Sequence, residues 1–405
     1  MKPIVRAGRM KPVHSDIRGP LFVEAMKRQK QGIDILKLNT GNPATFGFGL
    51  PDSIKNALIE HMQDGVGYCD FKGMPQARQA ICDYETSKGI KGITSDDVFI
   101  GNGVSEVVSF ALTPLLNDGD EVLVPSPSYS LWGNSVYLED GKPVFYTCDE
   151  QANWYPDIKD IRSKITDKTK AIVIINPNNP TGVLYPKELL LEIIQIARES
   201  GLLIFADEIY DRLVMDGKQH ISLASLTEDV PVITLNGLSK SHCLCGYRCG
   251  WMVISGPREL TEDYRQGIIQ LTSLRLCANT MAQIVIPAAL DDMETPASMV
   301  RPGGRIYEQR EATVRELEKI DGLSFVKNDA AFYVFPKLDV KKFNITNDKQ
   351  FAHDLLDVTN ILLVPGSGFD RKDPDHFRIV MLPQADILSD AIRRMGTFLD
   401  GYKQK

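Results

Sequence analysis

The chain has 405 residues, 43% of them apolar and 24% charged, the composition of a globular protein long enough for two domains with their own cores. With 53 acidic against 46 basic residues the formal net charge is -7, which argues against nucleic acid or an anionic membrane as partner, because both require a basic patch. No apolar run approaches the roughly 20 residues of a membrane span, the start Met1-Lys-Pro-Ile-Val-Arg6 lacks a signal peptide's apolar stretch, and the cysteines at 69, 82, 148, 243, 245, 249 and 277 show no regular framework, so a cytoplasmic protein with free thiols is expected.

Residues 1–15 carry no periodic apolar pattern and read as a mobile arm. Leu21 to Lys30 is a good helix former, and Ile33 to Leu38 alternates like a short strand. That strand ends in Asn39-Thr-Gly-Asn-Pro43, a turn cluster in which Gly41 permits a close backbone approach. Pro51 to Met62 reads as a helix. Next, Asp97 to Ile100, Gly101-Asn-Gly103 and Val104 to Leu116 read as strand, glycine turn and helix. Such a unit offers free backbone N–H groups and the positive end of a helix dipole to an anion, with Gly103, Val104 and Ser105 as candidate contacts. Gly101-x-Gly103 also resembles the start of a dinucleotide fingerprint. Its third glycine position is Glu106, however, whose carboxylate would crowd a pyrophosphate, so a single phosphate suits the turn better than a nicotinamide dinucleotide.

Glu121 to Val124 reads as a short strand leading to Pro125-Ser-Pro127 and Tyr129, a loop aromatic. Ala171 to Ile175 is apolar on both faces, as a buried parallel strand is, and runs into Asn176-Pro-Asn-Asn-Pro-Thr-Gly182. Asn179 therefore stands at the carboxyl end of a strand, where open α/β sheets bind ligands. Leu202 to Ala206 delivers Asp207 in the same way, and Asp207 reads either as a helix N-cap or as a carboxylate aimed at a ligand. Val232 to Leu235 leads to Ser239 and Lys240, with Arg248 close behind. A serine hydroxyl and an arginine fork can hold a phosphate dianion, while a lysine whose charge is disfavoured by a neighbouring cation can serve as a neutral amine toward an aldehyde.

His242, Cys243, Cys245 and Cys249 are grouped like metal ligands. Their Cys-x-Cys-x3-Cys spacing is not a common zinc pattern, and Lys240 and Arg248 interleave with them, so no metal is expected. From about Pro302 the texture changes to a charged helix (Arg305 to Ile320), strand-like runs at Leu323 to Val326, Ala330 to Phe335, Ile361 to Val364 and Phe377 to Val380, a helix over Lys349 to Val358 and a final helix. This alternation predicts a small α/β domain. Its chemically pointed residue is Arg378, in the strand after Gly366-Ser-Gly368, where a guanidinium fork could meet a carboxylate.

Ser239-Lys240 with Gly246-x-Arg248-x-Gly250-Trp251 resembles the cofactor-lysine signature of the class I/II aminotransferases. Asp16-Ile-Arg-Gly-Pro20, Leu38-Asn-Thr-Gly-Asn-Pro43, Gly101-Asn-Gly-Val-Ser-Glu106, Asn176 to Gly182 and Phe205-Ala-Asp-Glu-Ile-Tyr210 follow that family's order. The similarity runs end to end and looks most like the bacterial glutamate-pyruvate (alanine-forming) branch. It implies an α/β fold of type I for pyridoxal 5'-phosphate enzymes, with a mostly parallel sheet in a large domain (52–297) and a smaller α/β domain made of 1–51 and 298–405.

The resemblance also implies residue roles. Lys240 would be the catalytic amine; Gly103, Val104, Ser105, Ser239 and Arg248 would hold the phosphate. Tyr68, in a Tyr-x4-Gly element, would reach that phosphate across a homodimer interface. Tyr129 would stack on the pyridine ring, Asp207 would keep its nitrogen protonated, and Asn179 with Tyr210 would bond the ring hydroxyl. Gly41, Asn179 and Arg378 would meet the substrate's α-carboxylate. By position alone, in the arm expected to lie over the site, Arg18 is the first candidate for a distal carboxylate, and Arg275 is the second. The loop His242 to Cys245 departs from the family, whose members commonly carry an aromatic at 242 and no cysteine at 243 and 245.

The expected activity is amino transfer between L-alanine and 2-oxoglutarate, giving pyruvate and L-glutamate, in amino-acid biosynthesis. Alternatives are a C–S lyase on the same cofactor, or an aminotransferase for an aromatic, branched or acidic amino acid. A lyase would release ammonia and pyruvate without an amino acceptor. A cofactor-binding transcription regulator would need a DNA-binding module, for which the short arm leaves no room.

Overall fold

The computed structural model describes residues 3–405, so that Met1 and Lys2 of the expected arm lie outside the described residues. The short strand β1 (Leu36–Lys37) precedes eight strands that form one sheet: β2 (Val98–Asn102), β3 (Glu121–Ser126), β4 (Lys142–Asp149), β5 (Tyr155–Pro156), β6 (Thr169–Ile175), β7 (Leu203–Asp207), β8 (Val232–Gly237) and β9 (Cys249–Ser255). Their spatial order is β2-β9-β8-β7-β6-β3-β4-β5. The run from β8 through β7, β6 and β3 to β4 is parallel, whereas β9 is antiparallel to both its neighbours, as β5 is to β4.

The apolar runs explain the sheet. In β6 every residue from Ala171 to Ile175 is buried, and the faces alternate with the two-residue period of a strand. Ala171, Val173 and Ile175 join one core and Ile172 and Ile174 the other. A sheet apolar on both sides needs a cover on both. The helix Lys187–Ser200 turns Leu190, Ile193, Ile194 and Ala197 onto one face. The helix Val104–Leu112 sets Val107, Val108, Ala111 and Leu112 on the other. Both sets follow helical spacing, and each fully buried aliphatic side chain contributes about 1.5–3 kcal/mol.

The C-terminal third adds β10 (Leu323–Ser324), β11 (Tyr333–Val334), β12 (Lys337–Leu338), β13 (Ile361–Leu362), β14 (Val364–Pro365) and β15 (Phe377–Val380). β15 is the middle strand between β11 and β14, and β1 pairs in parallel with β13. Leu38 thus shares a core with Leu317, Phe351, Leu355, Phe377 and Ile392, which joins both ends of the chain in one body. The helix Glu294–Val300 runs through position 297.

Several expectations shift in detail. Ala330 to Phe335 keeps only Tyr333 and Val334 in a strand, because Ala331 sits at φ +60° and breaks the extended run. Ile361 to Val364 divides, its two halves pairing with β1 on one side and β15 on the other. β9 and the helix Arg258–Arg275 were not anticipated; Gly250 and Trp251 read as motif residues rather than as part of a fully buried strand. Among the described residues no single helix is long and apolar enough to cross a membrane.

Candidate functional site

The carboxyl ends of β2, β3, β6, β7 and β8 open at one edge of the sheet, and β9 starts there. Over that edge lies a cavity of about 900 Å³.

One end of the cavity suits an anion. The helix Val104–Leu112 begins directly after Gly103 with no side-chain cap, and Val104 and Ser105 line the cavity. The Glu106 N–H is taken by the Gly103 carbonyl at 3.1 Å, which leaves the N–H groups of Val104 and Ser105 for an anion, and the helix dipole adds positive potential. Gly103 has φ +83°, and a Cβ there would overlap the Arg248 guanidinium, so only glycine lets the two approach. Arg248 Nη1 donates to the Cys245 carbonyl at 2.9 Å, and Ser239 lines the same region. Glu106 turns away: it accepts from Asn102 N at 2.7 Å and pairs with Arg275 Nη1 at 2.6 Å. Arg275 is thereby engaged outside the cavity, which corrects its nomination as a substrate arginine.

At the other end Asp207 is only 5% exposed. Trp132 Nε1 donates to its Oδ2 at 3.1 Å, and the Ile209 N–H reaches Oδ1 at 3.4 Å. Burial pushes its carboxyl up to about 6, since the charged form is poorly solvated there. Tyr129 lines the cavity between the two ends.

Lys240 lies on the four-residue helical turn Leu238–Ser241 that follows β8. Its Nζ donates to the Gly41 carbonyl at 3.0 Å. A Cβ at Gly41 would overlap the Tyr333 hydroxyl and come within 2.8 Å of Phe332 Cε2, so the turn passes where no side chain fits. Burial pulls the Lys240 ammonium down, but Tyr333, Cys245 and Tyr129 outweigh it and the balance lies above the ordinary lysine value. The expectation of an amine neutralised by a neighbouring cation is therefore corrected for the free lysine. The lowering cation is Arg378, not Arg248, and it is outweighed.

Arg378, 1% exposed, donates from Nη1 to Asn179 Oδ1 at 2.9 Å and from Nη2 to the Asn39 carbonyl. Its Nε has no partner, its guanidinium lies 4.5 Å from the Tyr333 ring centre, and burial pushes its pKa down. Tyr210 and Tyr333 share a hydrogen bond of 2.8 Å between hydroxyls. Arg18 lines the mouth; it is exposed and makes no hydrogen bond or ion pair among the described residues.

The cavity therefore brings together Gly41, Val104, Ser105, Tyr129, Asn179, Asp207, Tyr210, Ser239, Lys240, Arg248, Arg378 and Arg18, with Gly103 just behind Arg248. Tyr68 is not among the lining residues and is 84% exposed. Sequence reasoning missed Tyr333 and Trp132, and it singled out the loop of Cys245 without placing that thiol on the cavity. For Tyr333 the available signal was the one hydroxyl in the apolar run Ala330 to Phe335. The four grouped loop side chains diverge: His242 meets Ser241 Oγ and the Asp292 carbonyl, Cys245 Sγ donates to the Ser239 carbonyl at 2.9 Å, Cys243 lies 3.9 Å from the Met299 sulfur, and Cys249 is buried in the sheet. Glu208, Asp211 and His220 lie close enough to hold an ion, but the Lys88 ammonium is already 2.7 Å from Glu208 and 3.1 Å from Asp211.

Comparison with known proteins agrees with this geometry. The family model for aminotransferase class I and II matches residues 33–392. Glutamate-pyruvate aminotransferase AlaA of Haemophilus influenzae is 50% identical over the whole of both chains. A crystal structure of an aminotransferase from Escherichia coli superposes with a TM-score of 0.98 at 47% identity, covering all of both chains. Alanine aminotransferase from Pyrococcus furiosus gives 0.93 at 40% identity, covering 98% of this chain and all of the other. The architecture is that of the fold type I pyridoxal-phosphate-dependent transferases. Within that class, the chain belongs to the class I and II aminotransferase family and is a transaminase that uses pyridoxal phosphate.

The residues present fit that cofactor. Its phosphate matches the uncapped helix end with Ser105, Ser239 and Arg248. A protonated ring nitrogen matches Asp207, whose buried charge lacks a cationic partner at hydrogen-bond distance. Its aldehyde matches the amine of Lys240.

Proposed function

We propose that the protein interconverts L-alanine and 2-oxoglutarate with pyruvate and L-glutamate, as a cytoplasmic homodimer serving amino-acid biosynthesis. The observation that carries this reading is that two guanidiniums line the cavity besides Arg248, which serves the phosphate end. Arg378 is buried with an unpartnered Nε, and Arg18 is free at the mouth. One can hold the α-carboxylate common to all four substrates, and the other can meet the second carboxylate that only glutamate and 2-oxoglutarate carry. The names of the Haemophilus and Pyrococcus relatives support the same substrates.

When bound, pyridoxal phosphate supplies an aldehyde that accepts the amino group and a ring that draws off the electrons left behind by the α-proton. The chain supplies the rest. Lys240 Nζ would carry the proton from the substrate α-carbon to the cofactor carbon that receives the amino group. Asp207 would hold the ring nitrogen, and Tyr129 would meet the ring face. Asn179 and Tyr210 serve the ring hydroxyl, with Tyr333 bonded to Tyr210. Gly103, Val104, Ser105, Ser239 and Arg248 anchor the phosphate, and Gly41 and Asn179 with Arg378 orient the α-carboxylate.

The division into a large domain (52–297) and a small one (1–51 and 298–405) is supported by the core around Leu38, Phe351 and Phe377, which draws only on the two ends of the chain. The dimer is supported by the exposure of Tyr68 and of the apolar side chains Ile59, Val66, Leu274 and Leu276, which a second copy could cover; sedimentation equilibrium decides between one chain and two. Seven free thiols support the compartment.

Two substitutions test the substrate assignment. Arg378→Lys should lower kcat/KM about a hundredfold for alanine and glutamate alike, because a point charge cannot replace a buried fork. Arg18→Ala should lower kcat/KM for glutamate about tenfold and change that for alanine far less. Equal losses from Arg18→Ala would remove its discriminating role. Ammonia release from a single amino acid would favour a lyase.

A further inference from the structure

The residues just before Arg18 are fastened from several directions. One side chain grips the backbone of His14: Asn134 Oδ1 accepts from His14 N at 3.1 Å, and Asn134 Nδ2 donates to the His14 carbonyl at 2.6 Å. A carboxamide offers a donor and an acceptor side by side, so it can pair with a residue's main chain as a neighbouring strand would. The His14 ring adds a second hold, with Nε2 3.1 Å from Asp370 Oδ1 and Nδ1 3.6 Å from Asp16 Oδ2. Asp16 and Asp370 push this imidazole up to about 9, so the bond to Asp370 is charge-assisted at neutral pH and Asp16 adds a longer ion pair.

Asp16 is also 3.1 Å from Lys349 Nζ. It packs where Gly368 has no side chain, since a Cβ at Gly368 would lie 2.8 Å from Asp16 Cβ. One residue on, Asn39 Nδ2 donates to the Ile17 carbonyl at 2.8 Å. His14, Asp16 and Ile17 are each tied, and Arg18 follows with its side chain untied over the cavity. Asn134 belongs to the helix Leu131–Leu138 packed on the large sheet, whereas Lys349, Gly368 and Asp370 belong to the C-terminal body. The segment is a strap fixed to both. This gives a purpose to Asp16 and to Gly366-Ser-Gly368, which the chemistry at Lys240 does not use.

We propose that Asn134 and His14 latch residues 14–18 across the cavity mouth and are positioning residues that set Arg18, and with it recognition of the substrate's side-chain end. The recognition half rests on the reading of Arg18 given above. The latch does not.

The test takes the holoenzyme and its variants His14→Ala and Asn134→Ala, alone and combined with Arg18→Ala. It measures amide hydrogen exchange over residues 10–18 and kcat/KM for glutamate and for alanine. His14 is not a lining residue, so its variant separates strap placement from any direct contact of Asn134 with substrate. Each latch variant should speed exchange about fivefold or more and lower the glutamate-to-alanine ratio by a similar factor, as loss of one or two hydrogen bonds implies. Neither should lower the ratio further when Arg18 is already alanine, because the effect runs through Arg18. The proposal is overturned if exchange is unchanged in both variants, or if Arg18→Ala lowers the ratio and the latch variants do not. If Arg18→Ala itself leaves the ratio alone, the substrate reading fails; the latch then stands if both variants speed exchange and falls if they do not.

Discussion

Lys240→Ala should keep the fold and lose turnover by about ten-thousandfold or more. In the free protein the substitution removes one hydrogen bond, from Nζ to the Gly41 carbonyl, and an ammonium whose burial its neighbours outweigh. Stability should fall by about 1–2 kcal/mol. Turnover falls much further. Among the described residues no other amine lines the cavity, so none there can take over both the bond to the cofactor aldehyde and the proton transfer. Loss of a positioned proton carrier costs about 10² to 10⁴ in rate, and loss of the covalent anchor adds to it.

The measurement is a visible absorption spectrum with L-alanine and then pyruvate added. Wild type should show a cofactor band that alanine removes and pyruvate restores. The variant, with wild-type melting behaviour, should hold the cofactor without that cycle. A Lys240→Ala protein that still cycles at wild-type speed would move the proton transfer to another group. Wild type that ignores alanine but answers a different amino acid would leave Lys240 its role and overturn only the substrate.

How much could be seen in the sequence follows from how each residue reaches the site. Asp207, Asn179 and Lys240 sit at or just beyond the carboxyl ends of β7, β6 and β8, and those strands announce themselves as short apolar runs with both faces buried. The strand-end rule then places the next polar residue over the edge. Gly103 was legible for a similar reason: an uncapped helix start after a glycine is a local feature.

What stayed hidden depends on segments far apart in the chain. Tyr333 meets Tyr210 across 123 positions and Trp132 meets Asp207 across 75, and no local pattern encodes either meeting. Arg275 shows the converse error. Its position in the chain made it a candidate, yet its partner Glu106 lies 169 positions away and the pair closes outside the cavity. Arg378 was found through family resemblance, because a strand arginine by itself is more often a surface residue. The strap is also non-local, with Asn134 120 positions from His14 and Asp370 a further 236 beyond Asn134.

Asp207→Asn should move stability and activity in opposite directions. In cofactor-free protein the folded-state pKa of Asp207, about 6, stands above the ordinary 3.8. Below pH 4 the group is protonated both folded and unfolded, and it costs nothing. As pH rises from about 4 to 6 the unfolded chain ionises while the folded one resists, so stability drains away; above pH 6 the loss is complete. At about 1.4 kcal/mol per pH unit, the interval sets an upper bound of about 3 kcal/mol.

Asparagine removes that burden and keeps one oxygen to accept from Trp132. The cofactor-free variant should therefore melt higher than wild type at pH 8 and show no such gain at pH 4. The same missing charge is what the ring nitrogen needs, so kcat of the cofactor-loaded variant should fall by about 10² to 10³, the cost of losing one preorganised electrostatic partner. Melting curves of the cofactor-free proteins at both pH values, with kcat of the loaded ones, supply the check. A variant destabilised equally at pH 4 and pH 8 would mean that Asp207 is held there for its hydrogen bonds; a variant stabilised at pH 8 but fully active would take it away from the ring nitrogen. Only gain in one and loss in the other identifies a carboxylate kept buried at a cost to the fold because a bound cation requires it.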